Sequence, residues 1–254
     1  MRAEWNQQDI ALKIIANHSG TFGISSLRKI LSEINILRKI NHPRCISLLA
    51  CYRNELSSNF YLISPYYSQG SLHHLLYKEN KILNKENFCL LLKDICEGLI
   101  YLHHLDILHM DLKPQNILID GKKEYRAIIT DFGISKIKRE TKSSSSQAGV
   151  VKGTFTYLAP DSPNYSNKSD IFSLAVIMWE IHYHKVPYED DLDFKMDASK
   201  FFSDVKNGKR LPFNGLISTT LRNIISLCWS KDPAERPDAK QLKQLIETYE
   251  QENN

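Results

Sequence analysis

Apolar positions recur with two different periods along the chain, and the change from one to the other divides it. Near the start, Ala11-Leu12-Lys13-Ile14-Ile15 and Phe60-Tyr61-Leu62-Ile63 are short apolar runs with the β-branched and aromatic content of strands. Between them, Leu27, Ile30, Leu31, Ile34 and Leu37 stand at i, i+3, i+4 and i+7 spacing, which predicts an amphipathic helix with Ser25 or Ser26 as its cap. Farther on, helical spacing dominates. Phe88, Leu91, Leu92, Ile95, Leu99 and Leu102 predict a helix from Asn84 to His104, begun by an Asn cap with Glu86 in its first turn. Ile117-Leu118-Ile119-Asp120-Gly121 reads as a strand and turn, and Ala127-Ile128-Ile129-Thr130 as its hairpin partner. Asp170 to Trp179 is apolar on nearly all faces, as a core helix should be, and at about ten residues it is too short to span a bilayer.

Size and charge narrow the class without naming it. At 254 residues and 42% hydrophobic content the chain fits one domain with an ample core. A net charge of +4, spread along the chain, gives no reason to expect nucleic acid or membrane insertion. Five cysteines without paired motifs, and no signal peptide, argue for the cytoplasm or nucleus. Cys89 and Cys96 are expected to be packed thiols. Low complexity is confined to Ser143-Ser144-Ser145-Ser146. Lys136-Ile137-Lys138-Arg139 favours either acidic substrates or a solvated loop, and the polar tail after Tyr249 is expected to fray.

The candidate chemistry lies in His109-Met110-Asp111-Leu112-Lys113-Pro114-Gln115-Asn116, followed by Asp131-Phe132-Gly133 at the hairpin's mouth. Any one Asp or Asn between apolar runs is an ordinary turn residue. Together, at these offsets, they resemble the catalytic loop and metal-binding turn of protein kinases. The resemblance implies that Asp111 orients a substrate hydroxyl, that Lys113 neutralises the γ-phosphate, and that Asn116 and Asp131 offer oxygens to magnesium. It also places His109 and Phe132 as structural residues.

The resemblance extends over nearly the whole chain. A lone strand lysine is usually a solvated charge, and Glu33 alone is a surface helix carboxylate, but Lys13 and Glu33 stand where the family has its phosphate-holding ion pair. Ser64-Pro65-Tyr66-Tyr67-Ser68-Gln69-Gly70 is similar to the connection between the two kinase lobes. ATP contacts would then fall on Ala11, Lys13, Ser64, Pro65, Tyr67 and Leu118, and a side chain as small as Ser64 would open space behind the adenine. Gly153-Thr154-Phe155-Thr156-Tyr157-Leu158-Ala159-Pro160-Asp161 looks like the segment that receives a substrate peptide. Lys113-Pro114 and Thr154 lean toward Ser/Thr specificity. Asp161 stands where Glu is usual; with Arg236 it forms either a buried ion pair or two unrelated surface charges. Asp170 opens the segment similar to the central buried helix, with Ala175 where Gly is usual. Cys228-Trp229 before Asp232-Pro233 points to the tyrosine-kinase-like group of Ser/Thr kinases.

The implied fold is α+β and bilobal: a small sheet lobe with one main helix over 1–64, a hinge over 65–70, and a mainly helical lobe over 71–254 that includes an activation segment at 131–161. The implied activity is transfer of the γ-phosphoryl of ATP, with Mg2+, to Ser or Thr of a protein substrate, with regulatory protein partners.

Two departures qualify it. Met110 replaces the Arg that often clamps an activation-loop phosphate, so the serine run reads equally as a flexible loop and as a phosphosite. No glycine precedes Gly20, and alignment places Met1 just after the family's glycine-rich loop, so the first strand and that loop are missing from this sequence. A truncated reading frame and a pseudokinase scaffold both account for that. A small-molecule phosphotransferase of similar fold shares the Asp-to-Asn spacing but not the Gly153-to-Asp161 segment with Arg236.

Overall fold

The first lobe is a four-stranded antiparallel sheet with one helix against it. Its strands are β1 (Arg2–Trp5), β2 (Gln8–Ile15), β3 (Ala50–Arg53) and β4 (Phe60–Pro65), in the order β1-β2-β4-β3. The computed structural model describes residues 1–16, 23–56, 59–133, 135–137, 155–161, 163–191 and 197–252, without the side chains of 25, 136 and 137. A two-residue turn with both Asn6 and Gln7 at positive φ closes the β1–β2 hairpin, the backbone twist such hairpins favour. Strand β4 runs one residue beyond the expected lobe boundary. Pro65 can end it because Tyr66 supplies the next amide, donating to Asp9 O.

The helix α1 (Ile24–Leu37) differs from the periodicity reading at two points. Gly23, in extended backbone, is its N-cap, so neither Ser25 nor Ser26 caps it; both lie within the first turn. The buried arc is also turned toward Glu33: Ile30, Ile34, Ile36 and Leu37 are buried with it, while Leu31 is 52% exposed. A carboxylate required inside the cleft sets that rotation.

The second lobe comprises α2 (Leu72–Tyr77), α3 (Lys85–His104), α4 (Asn167–Tyr183), α5 (Ala198–Lys206), α6 (Thr219–Cys228) and α7 (Ala239–Gln251). Two small antiparallel ladders complete it, β5 (Ile107–Leu108) with β8 (Lys136–Ile137) and β6 (Ile117–Asp120) with β7 (Arg126–Ile129). The Asn84 side chain caps α3 by accepting from Asn87 N at 2.9 Å, and ten of its residues are buried, Cys89 and Cys96 among them. Helix α7 runs through Gln251, two residues past Tyr249. Phe88 meets the Tyr249 ring edge-on, Lys85 sits 4.7 Å over it, and Lys93 pairs with Glu250 at 2.6 Å. No described helix is long and apolar enough to cross a membrane.

Helix α4 runs 17 residues, beyond the ten or so that its apolar run suggested, because it buries polar residues that have partners. Glu180 is the clearest of them. Its two carboxylate oxygens accept from Tyr77 Oη of α2 at 2.8 Å and from Tyr157 Oη at 2.7 Å. Burial pushes the carboxyl up to about 7 from an ordinary 4.5, although both hydroxyls favour the charged form. The folded state therefore holds a proton that the unfolded chain releases, and stability falls as pH rises from about 4.5 to about 7. The shift corresponds to about 3 kcal/mol across that window. Melting curves of Glu180→Gln should lose this slope relative to wild type; parallel curves would contradict the assignment.

Candidate active site

Between the lobes lies a cavity of about 230 Å³ lined by Lys13, Glu33, Ser64, Asn116, Asp131 and Phe132, among others. Strand register brings the first-lobe residues there: Lys13 pairs with Leu62 and Ala11 with Ser64 across β2 and β4. Leu37, Ile46 and Leu48 line it together with Ser64. Ala11, Pro65, Tyr67 and Leu118 do not line it. Pro65 ends β4, Tyr67 O accepts from Gly70 N in the connection between lobes, and Leu118 of β6 bridges to Ser71.

Lys13 joins the two lobes electrostatically. Its Nζ is 2.7 Å from Glu33 Oε1 on α1 and 2.8 Å from Asp131 Oδ1 on the other side of the cleft. Burial lowers the ammonium pKa, but the Asp131 and Glu33 carboxylates outweigh it and leave it raised. At Asp131 burial acts upward, and Lys13 with the Gly133 amide prevails, holding the carboxyl below its ordinary value. Both charges are therefore present at neutral pH.

The catalytic-loop backbone is held in an uncommon shape. Met110 at φ 68° and Asp131 at φ 66° are left-handed without being glycine, a conformation that persists only where neighbours over-determine it. Asp170, in the first turn of α4 and 1% exposed, supplies that constraint. Its carboxylate accepts from His109 N at 3.1 Å and Met110 N at 2.9 Å, and His103 Nε2 lies 2.8 Å away. Burial acts upward on this carboxyl, and the His103 contact with these amides keeps it below its ordinary value. His109 Nε2 faces Thr130 O at 2.9 Å, which fixes the proton on that nitrogen and leaves Nδ1 to accept from Asp111 N at 3.3 Å. The His109 ring also meets Phe132 edge-on at 5.3 Å, tying the loop to the turn that carries Asp131.

Asp111 is oriented by its own loop. Oδ2 accepts from Lys113 Nζ at 2.8 Å and Asn116 Nδ2 at 2.9 Å, and Asn116 Nδ2 also reaches Asp111 O at 2.8 Å. The other oxygen, Oδ1, is buried with no hydrogen-bond partner among the described residues. A buried carboxylate oxygen without a donor is costly, and chemically it is able to accept a hydrogen from a hydroxyl. Among the described residues, Asn116, its amide nitrogen committed to Asp111, has Oδ1 left for another partner, and Asp131, with Oδ1 on Lys13, has Oδ2 left. Two oxygen donors from opposite sides of one cavity are what a hard divalent cation such as magnesium takes from protein, the remainder coming from water and phosphate. The residues present thus fit that ion.

Asp161 and Arg236 form a two-pronged ion pair at 2.7 and 2.8 Å, with Arg236 1% exposed. Ser169 Oγ donates to Asp161 Oδ2 at 2.7 Å, and Arg236 further donates to Ser230 O and Lys168 O and lies against the Phe172 ring. Ser169, third residue of α4, whose Oγ also accepts from the N-cap amide of Ser166, thus completes the partner set of the shorter acid. Thr154, Lys138, Arg139 and the serine run 143–146 lie outside the described residues. His103 was missed in the sequence; standing beside His104 in an ordinary helix C-terminus, it carried no signal of its partner 67 positions later.

Comparison with known proteins agrees with this arrangement. A family model for the protein kinase domain matches residues 1–245. Serine/threonine-protein kinase CTR1 of Arabidopsis thaliana is 30% identical over 96% of this chain and 29% of its own length. Serine/threonine/tyrosine-protein kinase HT1 of the same plant is 26% identical over 98% of this chain and 63% of its own. Mitogen-activated protein kinase kinase 1, also from Arabidopsis thaliana, is 35% identical over 93% and 66%. The chain spans less than two thirds of the length of these relatives, and CTR1 and HT1 are of the tyrosine-kinase-like group to which Cys228-Trp229 pointed. With all but its last nine residues inside the matched domain, this chain belongs to the protein kinase family.

Proposed function

We propose that this chain transfers the γ-phosphoryl of ATP, with magnesium, to serine or threonine hydroxyls of a protein substrate. The observation that carries the reading is the pairing of a cleft in which Lys13 stands between Glu33 and Asp131 with a buried Asp111 oxygen that meets no donor among the described residues. In this reading Asp111 Oδ1 accepts the hydrogen of the incoming hydroxyl and aligns its oxygen, while Lys113 offsets charge on the transferred group. Lys13, fixed by Glu33, holds the inner phosphates; Asn116 and Asp131 hold the metal. Magnesium, when bound, neutralises charge on the phosphate oxygens. Backbone groups at Pro65 and Tyr67 meet the adenine, with Ala11 and Leu118 as its apolar neighbours. The serine/threonine preference is supported by Lys113-Pro114, by Thr154 in the sequence, and by the similarity to serine/threonine-protein kinase CTR1.

Thermal-shift titration with MgATP tests the reading. Binding to the folded state alone stabilises it by RT ln(1 + [L]/Kd), about 2.7 kcal/mol at a hundredfold excess over Kd. The wild-type chain should show dose-dependent stabilisation and Asp131→Ala should lose it. A flat wild-type titration would sink the proposal.

A further inference from the structure

One face of α3 carries Asp94, Gly98 and Tyr101 at i, i+4 and i+7 spacing, and each touches a different piece of the cleft's supporting chain. Asp94, 1% exposed, accepts from Arg126 Nε at 2.8 Å, Arg126 Nη2 at 2.8 Å and Ala127 N at 3.0 Å, at the start of β7. Its Oδ1 is also 3.0 Å from Arg44 Nε, in ion-pair rather than hydrogen-bond geometry, since that N–H finds no acceptor in line. At the other end of β7, Ile129 N donates to Arg44 O at 2.9 Å and Ile129 O accepts from Ile46 N at 2.8 Å. Gly98 makes this approach possible: a Cβ there would stand 2.7 Å from Ile129 Cδ1 and 3.0 Å from Arg44 O. One turn later, Tyr101 Oη accepts from Asn41 N at 2.8 Å and donates to Lys39 O at 3.2 Å, just past the end of α1.

We infer that Asp94 is a positioning residue for the metal-binding turn, acting through Arg126 and Arg44 to hold β7 in register on α3 and so to place Asp131. The inference rests on the proposed nucleotide and metal reading of that turn. Asp131 follows Ile129 by two residues and takes a left-handed backbone, so it has no freedom to correct a displacement of the strand that delivers it. Asp94 is also the carboxylate shared by two guanidiniums. Without its charge, among the described residues Arg126 has no carboxylate in contact, and Arg44 has only Glu97, at 3.6 Å and itself held by Lys243 at 2.9 Å. A group that orients a metal ligand typically changes metal affinity about 10- to 100-fold when removed. Lys93, on the same helix but turned to Glu250 of α7, has no tie to β7 and serves as a control.

The test follows ATP binding to the full chain by thermal shift at fixed ATP and rising MgCl2, for wild type, Asp94→Asn, Arg126→Lys and Lys93→Gln. The expected result is a magnesium midpoint about tenfold higher in Asp94→Asn and higher by a smaller factor in Arg126→Lys. Lys93→Gln should keep the wild-type midpoint even with a lower melting temperature. A wild-type midpoint in folded Asp94→Asn overturns the inference and leaves the proposed function standing. If Asp94→Asn does not fold, Arg126→Lys, which retains the charge and loses the two-pronged geometry, decides the matter on the same criterion. A wild-type chain that binds ATP without any response to magnesium overturns the reading of the turn and this inference with it.

Discussion

Asp111→Asn is expected to lower phosphoryl transfer about 100- to 10,000-fold, the usual contribution of a positioned proton acceptor, while leaving nucleotide binding and folding close to wild type. Asp111 touches neither Lys13 nor Asp131; its partners are Lys113, Asn116 and the His109 ring. The amide keeps one oxygen for Asn116 but removes the charge that accepts the hydroxyl hydrogen. Initial rates with labelled ATP, read beside MgATP thermal shifts on the same preparation, separate chemistry from binding. A rate within tenfold of wild type would remove Asp111 from the role assigned to it.

Arg236→Met should be the most destabilising single change outside the apolar core. It leaves Asp161, with a 3% exposed side chain, facing only Ser169 Oγ among the described residues, and removes the donors to Ser230 O and Lys168 O. Breaking a buried pair from one side typically costs 3–5 kcal/mol, roughly, because the remaining charge is uncompensated. Adding Asp161→Asn to Arg236→Met should therefore restore part of the loss, which a surface pair would not do. Urea denaturation midpoints of the two variants measure both effects. A loss below about 1 kcal/mol, the range of exposed pairs, would show that the site is not buried in solution.

Legibility in the sequence followed the range of the interactions involved. The loop from His109 to Asn116 and the turn from Asp131 to Gly133 were readable because their hydrogen bonds close within a few residues, so spacing carries their geometry. The Lys13 and Glu33 contact was readable through the family resemblance alone, since periodicity left each as a solvated charge. Other features were set by distant contacts. Glu180 and Asp94 carried no signal in the sequence, yet each is buried, because tyrosines or arginines from remote segments reach them. The start of α1 was misplaced because a backbone cap at Gly23 leaves no side-chain signature, and its buried arc because Glu33 counts as polar in any periodicity.

The most direct test of the central claim is transfer of label from γ-labelled ATP, with magnesium, onto the chain itself and onto a generic acceptor protein, followed by acid hydrolysis and identification of the phosphoamino acids. The account predicts phosphoserine and phosphothreonine in amounts that grow with time and vanish in Asp111→Asn. Label no greater than in Asp111→Asn, or label confined to tyrosine, would contradict it.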